Sequence, residues 1–468
     1  MAPGSGMSER TRQAGPVSET GEFRYARTSI GLGVDPVVGA TGLARRAEGP
    51  FLLFERQGGV TVGFGAAQEI VLNAKEIRFR GPDGWHAEPT GAEPLQQIRA
   101  LLAGSGIEDW RAYGWLAFEL SYLLHGMPEA AGDATLAHLV IPRREVSLTE
   151  GEADLRALRL DELAELCREI SMLSDTPPAP PARDLADEMH GYDDYRGAVE
   201  AAVADIQRHR LQKVILSRVV PVPGRVDLPA TYLAGRSGNT PARSFLLDLG
   251  GLHATGFSPE TVVEVSADGG VTTQPLAGTR ALSGNPATDA DLRDELVNDP
   301  KEVYEHAVSV RGAQEELREL CRDGSVRVDE FMVVRRRGSV QHLASRVSGQ
   351  LDQGRNGWHA MAGLFPAVTA SGLPKPEACQ AIHRYESQPR GLYGGAVVVC
   401  DSTGALDAAL VLRTVFEQDG KTWLRAGAGV VGQSVPEREF EETREKLRSI
   451  SRFLVPEDAR LSAGEVAS

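Results

Sequence analysis

Two stretches of the chain carry glutamates in pairs that are spaced three residues apart. Glu302 and Glu305 lie in KEVYEHAVSVRGAQEELREL, and Glu439 and Glu442 lie in PEREFEETREKLRSISRFL. In a helix, residues three apart are about 60° from one another, so each pair would share one flank. Four converging carboxylates repel one another unless a cation lies between them, and Mg²⁺ prefers oxygen ligands of this kind. The pattern predicts a Mg²⁺ site, although glutamates on solvated helix faces would give the same spacing.

Three single residues could act in acid and base chemistry. Lys213 precedes the apolar run VIL, and burial would lower its pKa towards the range in which a lysine accepts protons. Glu260 follows a proline in GFSPET, where a turn could direct its carboxyl group into a cleft as a general acid. His342 lies in the strand-like segment GSVQHLASRV. Each also has an ordinary structural interpretation, since strand-edge lysines, turn glutamates and strand histidines are common without catalysis.

A glycine-rich segment, RAGAGVVGQS, leads into the second glutamate stretch. Its Gly427, Gly429 and Gly432 have the spacing of a dinucleotide-binding turn, but no helix opens directly after them and no second strand follows. We expect these glycines instead to let backbone amides approach an anion, beside the helix that carries Glu439 and Lys446. A glycine-rich strand end without any ligand is the alternative.

The elements that must position these residues are helices and hairpins without regular βαβ alternation. Strands are predicted in KVILSRVV, GLYGGAVVV, ALVLRTVF and WLRAGAGVV, and TVVEVSADGGVTTQPLAGT is predicted to be a hairpin. Asp268, Gly269 and Gly270 would supply the positive φ angles of its turn. Helices are predicted to begin near Lys301 and Pro436, with buried stripes formed by Val303, Ala307, Val310 and Leu317 in the first and by Phe440, Leu447, Ile450 and Leu454 in the second. The pattern predicts an α+β fold with largely antiparallel strands.

Composition divides the chain into five segments. Residues 1–22 are rich in Gly, Ser, Pro and charge, which predicts a disordered leader, and SDTPPAPPARD contains four prolines and predicts a connector over 174–187. The N-terminal half of the fold is expected over 23–173 and the catalytic region over 188–456, followed by a tail at 457–468. No internal repeat is found.

Charge and cysteine content exclude several classes of function. A net charge of -15 without clustered Lys and Arg argues against nucleic-acid binding. The four cysteines have no CxxC spacing, which predicts neither a disulfide framework nor a zinc site and fits a cytoplasmic enzyme. We expect no membrane association, because the N-terminus has no apolar signal segment and no uncharged apolar run approaches the roughly 18 residues that span a bilayer.

Taken together, the segments resemble the chorismate-utilising enzymes and, within them, the salicylate synthases. The resemblance is nearly continuous from 190 to 450, with a weaker match in GWLAFEL at Gly114. The matching segments are KVILSR, GFSPE, QPLAGTRAL, DPKEVYEHAVSV, RRRGSVQHL, LFPAVTASGLPK, GLYGGAV, LVLRT and LRAGAGVVGQSVPEREFEETREKL.

The resemblance implies two stacked antiparallel sheets flanked by helices, with chorismate bound in a cleft between the lobes. It implies that Lys213 activates water for attack at C2 and that Glu260 protonates the departing C4 hydroxyl, which gives isochorismate. It further implies the remaining roles: Mg²⁺ held by Glu302, Glu305, Glu439 and Glu442; the pyruvyl carboxylate held by Tyr393, Arg413 and the backbone at Gly427; positive charge from Lys446 near the ring carboxylate; and His342 and Thr279 lining the ring as pyruvate leaves.

A few positions separate the members of this family. Anthranilate synthases have glutamine where this chain has Lys213, so lysine implies attack by water and no need for a glutamine amidotransferase partner. Enzymes that form aminodeoxychorismate have a nucleophilic lysine where this chain has Ala277. Isochorismate synthases share Lys213 but tend to have alanine in place of Thr279, so release of isochorismate without loss of pyruvate is the alternative activity.

Two departures from the family pattern are Gly394, where serine is usual, and the pair Gly432 and Gln433, where acidic residues are common. A non-enzymatic small-molecule sensor is the alternative from another class, and we expect such a protein to lack an acid and a base together. We expect a monomer. The sequence leaves open which pathway consumes the product.

Overall fold

The computed structural model describes residues 23–81, 83–174 and 182–457. The leader predicted at 1–22, residues 175–181 of the connector predicted at 174–187 and nearly all of the tail at 457–468 lie outside the described residues. None of the helices in the described part of the chain has the length and apolar character needed to cross a bilayer.

Within the described ranges the chain forms twelve α-helices and 23 strands. The helices are α1 Pro36–Arg45, α2 Pro94–Ala103, α3 Leu120–Leu124, α4 Pro128–Ala131, α5 Leu160–Ser171, α6 Tyr192–Gln207, α7 Leu228–Ser237, α8 Pro286–Asn298, α9 Pro300–Leu320, α10 Gly357–Leu364, α11 Lys375–Tyr385 and α12 Pro436–Leu447.

The first ten strands are β1 Ala26–Gly31, β2 Phe51–Arg56, β3 Gly59–Phe64, β4 Gln68–Leu72, β5 Glu76–Gly81, β6 Gly84–Pro89, β7 Arg111–Leu116, β8 Ala137–Ile141, β9 Arg144–Thr149 and β10 Glu152–Ala157. The others are β11 Lys213–Val222, β12 Arg243–Leu249, β13 Leu252–Ser258, β14 Thr261–Val265, β15 Gly270–Thr273, β16 Leu276–Ala281, β17 Arg327–Arg337, β18 Val340–Gln350, β19 Gly372–Leu373, β20 Ala396–Asp401, β21 Leu406–Leu410, β22 Thr414–Gln418 and β23 Lys421–Val430.

The strands form two large antiparallel sheets. The first sheet has the order β1-β10-β9-β3-β2-β12-β13-β22-β23-β11-β19. The second has the order β16-β18-β15-β14-β21-β20-β7-β8-β4-β5-β6, with β17 also paired to β18. Both sheets contain strands from the two halves of the chain, so the halves form one interlocked fold. The predicted α+β class with two sheets flanked by helices is confirmed.

Three apolar clusters hold these layers together. Between the sheets, Phe54 and Phe245 of the first pack in one cluster with Tyr113 and Val397 of the second. A second cluster, on the outer face of the first sheet, includes residues of α1, α5 and α7. A third cluster, on the outer face of the second sheet, includes residues of α2, α9, α10 and α11. Each sheet therefore buries both faces, and this explains why strands such as β2 and β8 are buried almost continuously rather than alternately.

Two strand segments differ from the sequence-based prediction. ALVLRTVF was predicted as one strand, but β21 ends at Leu410 in the second sheet and β22 begins at Thr414 in the first. Between them Arg413 takes a φ of 53°, a left-handed conformation that turns the chain. In the predicted hairpin only Gly269 of the three turn residues has a positive φ, and the last part of the segment is β16, which pairs with β18 instead. Periodicity alone does not identify the sheet to which a strand belongs.

The two glutamate-bearing helices form where predicted, but their buried faces differ. In α9, Val303 and Ala307 are only partly buried, whereas Glu302 and Glu305 are 3% and 5% exposed. Asp299 caps this helix by accepting hydrogen bonds from the backbone amides of Lys301 and Glu302. The carboxylates thus point into the protein, and of the predicted stripe Val310 and Leu317 are buried whereas Val303 and Ala307 are only partly buried.

In the second helix, α12 ends at Leu447, before the predicted stripe residues Ile450 and Leu454. Both residues are still buried, because the chain continues through a short 3₁₀ turn at Ser451–Phe453 against the same core. The predicted stripe is therefore buried, although only Phe440 and Leu447 of it belong to the helix.

Candidate active site

Ten of the twelve residues predicted to act in catalysis or binding line one cavity. Its lining includes Lys213, Glu260, Thr279, Glu305, His342, Tyr393, Arg413, Gly427, Glu442 and Lys446. Glu260 and Arg413 both lie where the chain crosses from one sheet to the other, and Lys213 and Gly427 lie on the paired strands β11 and β23. The cavity volume is about 60 Å³, which is room for a few water molecules, so a larger ligand requires lining side chains to move.

Lys213 is the first residue of β11 and is 1% exposed. Its Nζ donates a hydrogen bond to Ser309 Oγ over 3.0 Å and lies 2.9 Å from Glu305 Oε1. Gly429 on the neighbouring strand makes this packing possible, since a Cβ atom there would overlap the Glu305 carboxylate and lie 3.2 Å from Lys213 Cε. A buried amine therefore lies beside one of the predicted metal ligands.

Glu260 is 2% exposed and accepts two hydrogen bonds. Thr369 Oγ1 donates to its Oε1 over 2.5 Å, and the backbone amide of Leu276 donates to its Oε2 over 2.7 Å. Burial raises the pKa of this carboxyl group to about 7, although both hydrogen bonds favour the ionised form. A carboxylic acid with such a pKa holds its proton for an appreciable part of the time at neutral pH, as a general acid must.

His342 bridges two other predicted residues. Its Nδ1 lies 3.1 Å from Thr279 Oγ1, and its Nε2 lies 2.5 Å from Nη2 of Arg413. Burial and the neighbouring guanidinium hold the pKa of this histidine well below its usual range, so the imidazole is neutral. Because Arg413 can only donate, Nε2 is the acceptor and the ring proton lies on Nδ1, facing the threonine. Arg413, itself buried, has a pKa lowered to about 9 by burial.

The predicted carboxylate-binding residues form the opposite part of the lining. Lys446 Nζ donates to the carbonyl oxygen of Gly427 over 3.0 Å and lies 2.7 Å from Glu442 Oε1. A Cβ at Gly427 would lie only 2.6 Å from a backbone oxygen of β11 and 3.1 Å from the Tyr393 hydroxyl, so glycine leaves space beside the phenol. The guanidinium of Arg425 lies 5.7 Å from the Tyr393 ring centroid and pairs with the buried carboxylate of Glu386 at 2.5 Å.

Glu302 and Glu439, the other two predicted metal ligands, lie just outside this cavity and line a neighbouring one of about 480 Å³. Burial raises the pKa of both carboxyl groups, and the charge of Glu442 adds to the rise. Glu442 itself has a lowered pKa: burial acts in the opposite direction, but the charges of Lys446 and Lys301 outweigh it. The four carboxylates from α9 and α12 therefore affect one another electrostatically, as the paired spacing predicted.

Lysine ammonium groups, however, lie among these carboxylates. Across residues 23–81, 83–174 and 182–457, no group of three or more Asp, Glu, His or Cys side chains is close enough to hold a metal ion as the side chains stand. The donor set nevertheless fits Mg²⁺, because it offers only carboxylate oxygens. The side chain of Glu439 is only 1% exposed, and its Oε1 lies 3.1 Å from the ammonium of Lys301. A buried carboxylate that already pairs with a cation is chemically suited to bind a metal ion.

Three lining or neighbouring residues were not identified from the sequence. Thr369 lies 109 residues from its partner Glu260, and no spacing pattern connects them. Arg425 lies inside a buried strand, where an arginine gives no periodic signal. Lys301 directly precedes the first glutamate pair. A positive charge next to two acids was the one feature of the sequence that could have placed this lysine near the site.

Comparison with known proteins identifies the family of this chain. A model of the chorismate binding enzyme family matches residues 49–452. The chain is 42% identical to the salicylate synthase of Mycolicibacterium paratuberculosis over 414 residues, which is 88% of this chain and 91% of that protein. It is 34% identical to anthranilate synthase component 1 of Streptomyces coelicolor, with 78% of each covered.

Solved structures show the same fold at lower identity. Anthranilate synthase component I from Streptococcus pneumoniae matches with a TM-score of 0.71 and 22% identity, covering 90% of this chain and 99% of that one. The menaquinone-specific isochorismate synthase of Escherichia coli matches with a TM-score of 0.67 and 22% identity, covering 92% and 95%. Since the family match spans nearly the whole described part of the chain, this protein belongs to the chorismate-binding enzyme family.

Proposed function

We propose that this protein is a Mg²⁺-dependent salicylate synthase, which converts chorismate to isochorismate and then to salicylate and pyruvate. The observation that carries the proposal is that Lys213 and Glu260, a buried amine and a buried carboxylic acid with a pKa of about 7, line one cavity. The high identity to a salicylate synthase supports the same activity. Lysine rather than glutamine at position 213 favours attack by water, without an amidotransferase to deliver ammonia.

In the first step, Lys213 takes a proton from the water that attacks C2, and Glu260 gives its proton to the C4 hydroxyl, which leaves as water. Lys213 must be neutral to act as a base, so it must first leave its ion pair with Glu305. Tyr393 and Arg413 would hold the pyruvyl carboxylate, Arg413 after its contact with His342 opens.

In the second step, the hydrogen at C2 passes directly to the pyruvyl methylene while the bond between C3 and the ether oxygen breaks. The side chains need only keep the enolpyruvyl arm folded over the ring. Glu302, Glu305, Glu439 and Glu442 would hold Mg²⁺, which, when bound, neutralises the ring carboxylate.

Product analysis tests this activity. The purified protein is incubated with chorismate and Mg²⁺, with and without an ammonium salt, and the aromatic product is identified by liquid chromatography and mass spectrometry. We expect salicylate under both conditions. Anthranilate in the presence of ammonium, or no consumption of chorismate, would contradict the proposal.

The pKa of Glu260 leads to a pH prediction. Because the acid form is required, kcat/KM for chorismate should fall as the pH rises through about 7, by about ten-fold per unit at higher pH. In Thr369→Val the hydroxyl that hydrogen-bonds the ionised carboxylate is lost, so the pKa of Glu260 rises and the falling limb moves to higher pH. The measurement is the pH profile of both proteins. A limb that stays in place would assign the titration to another group.

Thr279 separates the proposed activity from that of an isochorismate synthase. Its β-branched side chain is 2% exposed and is held by His342 through Oγ1 and by Glu302 through the backbone amide. In Thr279→Ala the enolpyruvyl arm of the substrate should be held less firmly, so the product shifts from salicylate towards released isochorismate. The rate of chorismate consumption should fall less than the rate of salicylate formation. The product ratio checks this expectation. Salicylate alone at an unchanged rate would show that the threonine only packs in its strand.

A further inference from the structure

The ammonium group of Lys301 lies among the proposed metal ligands. Its Nζ is 3.1 Å from Glu439 Oε1, 3.4 Å from Glu302 Oε1 and 3.7 Å from Glu305 Oε2. Three of the four carboxylates, from two different helices, thus contact a single positive charge. The fourth, Glu442, pairs with Lys446.

The four carboxylates also lie in two different cavities, which share no lining residue. Glu305 and Glu442 face the inner cavity, which contains Lys213 and Glu260, whereas Glu302 and Glu439 face the outer cavity. Exposed residues at the mouth of the outer cavity, Glu295, Gln433 and Val435, open it to solvent. Lys301 lines the outer cavity, and its side chain is 18% exposed.

The cluster of four carboxylates needs a positive charge such as that of Lys301. The side chains of Glu302, Glu305 and Glu439 are 1% to 7% exposed, and buried like charges repel strongly without a counter-charge. Glu302 has a second partner in Arg280 and Glu305 has one in Lys213. For Glu439, by contrast, Lys301 is the only ion-pair partner among the described residues. Removing the ammonium would therefore leave the buried Glu439 carboxylate without an ion-pair partner among the described residues.

We propose that Lys301 is a built-in counter-ion of the metal site, which stabilises the carboxylate cluster while no metal is bound and withdraws into the outer cavity when Mg²⁺ binds. The proposal rests on the Mg²⁺ site of the proposed function. Withdrawal is feasible because the outer cavity has a volume of about 480 Å³ and the lysine stem is long and flexible. Mg²⁺ must compete with this tethered cation, so the lysine lowers the apparent affinity for the metal.

Calorimetric titration with MgCl₂ alone, without chorismate, tests this role. Lys301→Met should bind Mg²⁺ about ten-fold more tightly than the wild type or better, because no ammonium has to be displaced. In the presence of a chelator the same variant should unfold at a lower temperature, and saturating Mg²⁺ should raise its Tm by more than that of the wild type. Lys301→Gln provides a second variant in case the methionine protein does not fold.

The control is Lys75→Met, which removes a lysine from an exposed ion pair with Asp133 and should change neither quantity. Unchanged or weaker Mg²⁺ binding by the Lys301 variants would overturn the counter-ion role and leave the proposed function intact. If neither the wild type nor the variants bind Mg²⁺, the metal assignment itself fails. Tighter binding together with lower metal-free stability is the result that supports the inference.

Discussion

Replacing Lys213 with glutamine is expected to lower the rate of isochorismate formation by about 10²-fold or more, the usual contribution of a positioned general base. An amide has no lone pair basic enough to take a proton from water at neutral pH. Salicylate formation from supplied isochorismate should fall less, because the second step uses no external base when the hydrogen passes within the substrate. The two rates are measured separately, with chorismate and with isochorismate as the starting compound.

A matched control exists elsewhere in the chain. Lys375 is also buried and also pairs with a glutamate, the partly buried Glu316, at 2.8 Å, but it lies outside the catalytic cavity. Lys375→Gln should therefore cost similar stability while retaining the first step. Equal losses in both steps for Lys213→Gln would contradict its assignment as the base, and so would a comparable catalytic loss in the control.

Substituting glutamine for Glu442 is expected to lower turnover by about 10²-fold or more, because a metal that neutralises substrate charge contributes several kcal/mol to catalysis. Mg²⁺ affinity should fall as well, and excess Mg²⁺ should restore part of the activity. The same is expected of Glu305→Gln, and exhaustive chelation should stop the wild-type reaction. Mg²⁺ titrations of activity and of bound metal check both expectations.

The fold of these variants should persist, because removing one of several clustered carboxylates also removes repulsion. Glu316→Gln is the corresponding control, since Glu316 is a glutamate with a pKa raised by burial that lies away from the proposed metal site. It should leave the Mg²⁺ dependence unchanged. Near-normal turnover by Glu442→Gln, or full wild-type turnover after chelation, would show that these carboxylates hold no catalytic metal.

Local sequence patterns predicted the elements of the fold better than their arrangement. The helices predicted to begin near Lys301 and Pro436 form as α9 and α12, because a helix face is a local property. Crossings between sheets depend on partners distant in the chain, which is why ALVLRTVF was predicted as one strand although the chain turns at Arg413. The buried face of α9 was predicted only in part for a related reason: hydrophobicity ranks glutamate as exposed, whereas Glu302 and Glu305 are buried against other charged groups.

The residues of the candidate site, too, could be predicted from local patterns only in part. The spacing of the glutamate pairs and the resemblance to a known family together predicted residues that the structure places in or beside one cavity. Partners that act through a single hydrogen bond across the fold were not predictable, as Thr369 beside Glu260 shows. Lys301 was overlooked because a lysine next to glutamates on a helix is usually a solvated residue, and only the packing of α12 against it reveals its contact with Glu439.

Incubation with isochorismate as the only substrate separates the loss of pyruvate from the addition of water. With Mg²⁺ present, we expect salicylate and pyruvate to accumulate in equal amounts, at a rate at least equal to their formation from chorismate. Conversion of isochorismate only back to chorismate, or no reaction at all, would contradict this expectation and would favour an enzyme that ends at isochorismate.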